Sequence, residues 1–190
     1  MGFLRLLWLS LRSLFQGRRS LFETSVLGLR VWPPDLDLNL HMNNARYLSI
    51  MDLGRVDVML AGGLGLWGRR GRQPLVAASF CRYFKPLHPF QAYELHTRMV
   101  GFDEKWFYFE QRFMAKGRLH TLGAVKGLMV GSDGVPIPTK ELFAGLAEEL
   151  PAGPPLPGWM LDWLRSERSA MDHLKAEARF EAKPETGPRP

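Results

Sequence analysis

Asp37, His41, Asn43 and Asn44 bring a carboxylate, an imidazole and two carboxamides together just ahead of a run whose apolar residues recur at helical spacing. A carboxylate can act as nucleophile or as base for water, an imidazole can orient a reactant, and the first N–H groups of a helix can hold an oxyanion. Such a set suits attack on an acyl carbonyl. Each residue also has an ordinary use: Asp35 and Asp37 as turn-forming side chains, Asn43 and Asn44 as helix caps, and His41 as a partner for a backbone carbonyl.

These side chains need a frame, and the surrounding pattern supplies one. Ser20 to Trp32 reads as a strand closed by Pro33-Pro34. From Asn44 to about Leu60, the residues Tyr47, Leu48, Met51, Val58 and Met59 predict a helix, started by Asn43 or Asn44 and ended by Gly62-Gly63. Its polar side is limited to Arg46, Ser49, Asp52 and Asp57, so a sheet can wrap most of it. Strand-like runs then follow near Pro74–Lys85, Gln91–Gly101, Lys105–Ala115 and Thr121–Val130, parted by turn signals that include a Lys116-Gly117 hairpin. A strand, a long helix and four consecutive strands predict an α+β domain with an antiparallel sheet curled round the central helix.

The same segment carries a family pattern. Asp35-x-Asp37, His41-Met42-Asn43-Asn44-x-x-Tyr47-Leu48 and Asp52-x-x-Arg55 are followed in order by Ala78 to Arg82, Pro89-Phe90, Val100 to Asp103 and Phe107 to Phe113. This series resembles the hotdog-fold acyl-CoA thioesterases of the 4-hydroxybenzoyl-CoA thioesterase type over roughly residues 21–145. The resemblance implies a hotdog fold, hydrolysis of acyl-CoA to acid and CoA, and a homodimer or dimer of dimers in which two subunits complete each site. It implies no cofactor beyond the coenzyme A of the substrate. Asp37 falls where such enzymes place a catalytic aspartate, with Asp52 on the helix as the fallback carboxylate. Leu40 stands where a glycine often precedes the histidine, which departs from the family pattern.

Substrate contacts are expected from Tyr47 and Met51, with Val58, Met59, Trp106, Phe107 and Phe109 as further candidates for an acyl tunnel. The basic loop holding Arg69, Arg70 and Arg72 suits the coenzyme A phosphates. His88, His96, His120 and His173 are scattered and suggest no metal site, and the single cysteine, Cys81, permits no intrachain disulfide. The chain of 190 residues carries a formal charge of +6 and 46% hydrophobic residues, enough for one ordinary core. The charge favours an acidic partner, but no nucleic-acid module accompanies it.

Residues 1–19 alternate Leu, Phe and Trp with Arg5 and Arg12 and are too short and too charged to span a bilayer. They read as an amphipathic segment for a membrane surface or for packing on the body, in a cytoplasmic protein that is peripheral at most. The expected organisation is a domain over residues 20–145 with a short helix over Lys140–Leu150, a Pro-rich linker at 146–158, and a C-terminal helix with a disordered tail at 159–190. Two other functions fit the pattern less fully. One is a membrane-associated acyl-binding protein without turnover. The other is a hotdog hydratase or dehydratase, whose Asp-x-Asn-Pro-x-His pattern Asp37 to His41 matches only in part.

Overall fold

The computed structural model describes Arg5, Leu9 and residues 17–63, 71–144 and 155–181, with side chains to 178. Two compact units emerge, residues 1–155 and 156–190, and their division falls inside the Pro-rich stretch. The first unit runs β1 (Ser25–Arg30), a 3-10 turn (Pro33–Asp35), α1 (Asn44–Ala61), β2 (Gln73–Tyr83), β3 (Ala92–Phe102), β4 (Phe107–Ala115), β5 (Arg118–Val130) and α2 (Thr139–Phe143). The second holds α3 (Gly158–Glu181). The expected short helix is thus described only to Phe143, and the rest of its range, like the tail beyond 181, lies outside the described residues.

One antiparallel sheet of five strands, in the order β1-β3-β4-β5-β2, packs against α1. This is the hotdog arrangement. Lys116 and Gly117 both have positive φ, at 49° and 69°, which closes the β4–β5 hairpin with the twist that two-residue turns require. The helix is apolar on most sides, and Tyr47, Ile50, Met51, Leu53, Val56 and Val58 are all buried. Asp57, expected on the polar side, is instead 1% exposed and accepts from Ser25 Oγ at 2.5 Å and Arg19 Nη2 at 2.9 Å.

Gly54 lets the helix lie directly on the sheet. A Cβ there would collide with Thr97 Oγ1 and approach Leu95 Cδ2 to 2.8 Å. This contact is held by Gln111, which is fully buried and donates to Met51 O at 2.8 Å and Thr97 Oγ1 at 2.9 Å while accepting from Arg55 Nη1 at 3.0 Å.

Of the first sixteen residues only Arg5 and Leu9 are described, and both are helical. Leu9 is fully buried in the core, and Arg5 forms a two-pronged bond to the buried Asp35, Nη1 to Oδ1 at 3.1 Å and Nη2 to Oδ2 at 2.6 Å. At these two residues the N-terminal segment packs on the body. Among the described residues no helix is long and apolar enough to cross a membrane.

Candidate active site

The loop Asp37–His41 folds on itself before α1. Asp37 Oδ1 accepts the N–H of Asn39 at 2.9 Å and of His41 at 3.3 Å, while Asp37 N donates to His41 O at 2.9 Å and Leu40 N to Asp37 O at 3.1 Å. This tight closure forces Leu40 to a φ of 56°, the left-handed region that glycine enters without penalty. Leu40 therefore keeps the backbone path that a glycine would take. It does so with its side chain 65% exposed, beside the fully exposed Leu38.

The loop is pinned on both flanks. Asn43 N donates to Asp35 O at 2.8 Å and Met42 N to Leu87 O at 2.9 Å. Asp35 is anchored in turn by Arg5 and by the Trp32 N–H at 3.0 Å, so it is a buried structural carboxylate with a hydrogen-bonding role. Asn43 caps α1, its Oδ1 accepting the Ala45 N–H at 2.8 Å, and Arg46 N is taken by Asn43 O at 2.9 Å. Of the Asn43 to Ala45 N–H groups at the start of α1, the one at Asn44 has no acceptor among the described residues. The helix dipole reinforces that N–H as a site for negative charge.

The fold adds a partner that sequence spacing hides. The His41 and His88 rings meet edge to face with centroids 4.9 Å apart, and the His88 N–H is held by Gln91 Oε1 at 2.9 Å. The two histidines are remote in sequence and converge because Met42 pairs with Leu87. The periodicity that located the helix says nothing about such a contact. No group of three or more metal-ligating side chains occurs among the described residues.

Tyr47 is 2% exposed, its ring set edge-on to Tyr83 at 5.1 Å and Phe113 at 4.9 Å. Burial pushes its phenol up, while contacts with the Thr121 side chain and the Leu87 backbone offset part of that rise; the charge of Asp37 adds to it. Burial likewise raises the Cys81 thiol, with Tyr83 and Arg55 working the other way, so it is poorly suited to act as a nucleophile. Met51 is fully buried, its sulfur 3.7 Å from Cys81 Sγ, which makes it a core side chain in this structure.

Asp52 and Arg55 bond to each other on one side of α1, and desolvation lowers the Arg55 pKa. Both border a small, partly open apolar cavity of about 70 Å³ whose walls include Met59, Val76, Met99, Phe107 and Phe109. Of the expected acyl-tunnel residues, Met59, Phe107 and Phe109 line this cavity, whereas Met51, Val58 and Trp106 do not. A second, open cleft of about 1620 Å³ lies at the end of the sheet beside His88. Asp37 lines neither. In the basic loop, Arg69 and Arg70 fall outside the described residues, and Arg72 lies 3.7 Å from Glu141.

Residues 31–164 match the Thioesterase-like superfamily. The chain belongs to that superfamily. It is 41% identical over 116 residues to Protein THEM6 of Danio rerio, covering 60% of this chain and 57% of that protein, so it spans little more than half that relative's length. Protein THEM6 of Xenopus laevis is 30% identical over 167 residues, covering 82% of this chain and 74% of the relative. Among solved structures, the DHNA-CoA thioesterase of Staphylococcus aureus superposes with a TM-score of 0.58 at 16% identity, covering 82% of this chain and 95% of that one. At that identity the likeness speaks to the shared fold. The thioesterase-like match includes the whole loop from Asp35 to Asn44 and all of α1.

Proposed function

We propose that this protein hydrolyses acyl-CoA thioesters to the free acid and coenzyme A, with Asp37 as nucleophile or as base for water. The observation that carries the reading is the rigid Asp37–His41 loop at the start of α1. Its carboxylate is fixed through Oδ1 to two backbone N–H groups, and the unengaged Asn44 N–H lies at the positive end of the helix. Membership of the thioesterase-like superfamily supports the reaction class.

On the nucleophilic route the carboxylate attacks the thioester carbonyl and expels the CoA thiolate. Water then cleaves the acyl-aspartyl anhydride. On the general-base route Asp37 takes a proton from the attacking water, and the tetrahedral oxyanion collapses with loss of the thiolate. Asn44 N–H receives the oxyanion in either case, and His41 orients the thioester. A homodimer is part of the proposal, supported by β2, an 11-residue edge strand that presents Leu75 and Val76 at 47% and 52% exposure.

A second reading places the carboxylate on α1 at Asp52, because Asp52, unlike Asp37, borders the apolar cavity. Thiol release from short, long and aromatic acyl-CoAs, compared among the parent chain, Asp37→Asn and Asp52→Asn, separates the two. Asp37→Asn retains an oxygen for the Asn39 and His41 bonds, so it should stay folded and lose on the order of 10²-fold or more in kcat. Full activity in that variant, with loss in Asp52→Asn, transfers the role to Asp52. Absence of thiol release on every substrate rejects hydrolysis and leaves the acyl-binding alternative.

A further inference from the structure

We infer that the open cleft beside His88 is a nucleotide-binding site, suited to the adenosine 3′,5′-bisphosphate portion of coenzyme A. The inference rests on the acyl-CoA reading for its ligand but on separate observations for its place. The ends of β1 and β4 and the starts of β3 and β5 meet at one end of the sheet. There Arg30, Lys85, Lys116 and Arg118 surround the cleft, and Glu94 is the single acidic residue lining it among the described residues. Glu94 is already engaged by His96 at 2.8 Å. Lys85, Lys116 and Arg118 are exposed and have no ion-pair partner among the described residues, so their charge is free to meet phosphate. The cleft is open and about 1620 Å³ in volume, which leaves ample room for the nucleotide end of coenzyme A.

Two exposed aromatic residues line the same cleft. Trp32 and Phe90 are 42% and 55% exposed and meet edge to face at 6.3 Å. Phe90 is held at a φ of 60°, a conformation rare outside glycine. That backbone is fixed by Phe90 N to Val31 O at 2.9 Å, Val31 N to Gln91 O at 3.0 Å and Arg30 Nη1 to Phe90 O at 2.7 Å. Strain sustained to display an aromatic ring in solvent points to a binding role, and the ring faces offer stacking for a base. Tyr93 borders the cleft while its ring sits in the core, and its hydroxyl is buried without a hydrogen-bond partner among the described residues. One edge of the cleft reaches the reactive loop through His88, whose ring touches His41. A ligand with its anionic end in the cleft can therefore direct its other end toward Asp37. This places the coenzyme A phosphates at the β4–β5 hairpin end of the sheet and not at the Arg72 loop.

The test uses the full chain and the double variant Lys116→Glu/Arg118→Glu, whose side chains are exposed at a hairpin, together with Trp32→Ala. Titration calorimetry with adenosine 3′,5′-bisphosphate should show binding that weakens at least tenfold in the double variant and also weakens in Trp32→Ala, with inorganic pyrophosphate as the probe that senses charge but not stacking. Turnover of an acyl-CoA and of the matching acyl-pantetheine, which lacks the nucleotide, gives a second readout: the ratio of their kcat/KM values should fall about tenfold in the double variant. Absence of bisphosphate binding in the parent chain, or equal binding in all three proteins, overturns the site. An unchanged ratio overturns it even where hydrolysis itself is confirmed. Bisphosphate binding lost in the variants, in a protein that releases no thiol, leaves the cleft standing and removes the hydrolase reading.

Discussion

Arg5→Ala tests whether the N-terminal segment is a structural part of the domain. Asp35 is fully buried, and its carboxylate accepts two guanidinium bonds from Arg5 and one from the Trp32 N–H. Removing Arg5 leaves a buried carboxylate with one donor, and breaking a buried pair in this way costs about 3–5 kcal/mol. The Arg5 side chain is 15% exposed, so water reaches part of the pair and the lower end, about 3 kcal/mol, applies. For a domain of this size each kcal/mol moves Tm by about 2–4 °C, so Tm should fall by roughly 6–12 °C. Thermal and urea denaturation of Arg5→Ala, Asp35→Asn and the double variant Arg5→Met/Asp35→Asn measure it. The double variant buries no charge and keeps an oxygen for the Trp32 N–H, so it should recover much of the loss. Deletion of residues 1–19 should cost more still, because it also strips Arg19 from Asp57, which is 1% exposed. A loss under about 1 kcal/mol in Arg5→Ala, or an unchanged Tm on deletion, would refute this reasoning.

Substitutions at three further positions probe the loop, the helix seat and the tyrosine cluster. Leu40→Gly should stabilise the chain by up to about 1 kcal/mol in urea titrations, since it relieves a left-handed residue whose exposed side chain makes little packing, while Leu40→Val should destabilise it. Gly54→Ala should cost about 1–3 kcal/mol, because Thr97 and Gln111, which its Cβ would meet, are held by each other's hydrogen bond; a neutral result would show that the helix can lift off the sheet without penalty. Burial, aided by the neighbouring Cys81 and Tyr47, pushes the Tyr83 phenol up to about 12. The unfolded chain ionises near pH 10, so the stability from keeping Tyr83 neutral is intact below that pH and is lost as pH rises toward 12. Stability of Tyr83→Phe should therefore fall less steeply across that window, and parallel pH curves for the two proteins would contradict the assignment.

What could be read from the sequence was local. The Asn43 cap, the Gly62 end of α1 and the Lys116-Gly117 hairpin are fixed by residues adjacent in the chain, and each falls where the side-chain types place it. The strands were legible for the same reason, with β2 to β5 within a few residues of the expected runs. Asp57 shows the limit of periodicity: a carboxylate on a helix reads as solvated until Ser25 and Arg19 are found to cover it. The Arg5–Asp35 clamp was hidden similarly, because nothing in the spacing of two distant charges says that one is buried beneath the other.

The reactive loop combines both cases, and this bears on how its chemistry should be understood. Asp37, Asn43 and Asn44 announce themselves by type and by position ahead of a helix. The precision of their placement comes from contacts that no local pattern contains: the Leu87 carbonyl on Met42, the Asp35 carbonyl on Asn43, and Arg5 beneath Asp35. Leu40 shows the consequence. A residue that departs from the usual glycine is tolerated because these outer bonds over-determine the backbone, which holds the Asp37 carboxylate against two N–H groups even at a conformational cost of about 1–2 kcal/mol. The loop's geometry is thus set by its supports and only weakly by its own sequence. Changes at Arg5 or Leu87 should therefore disturb the position of Asp37 although neither residue touches it.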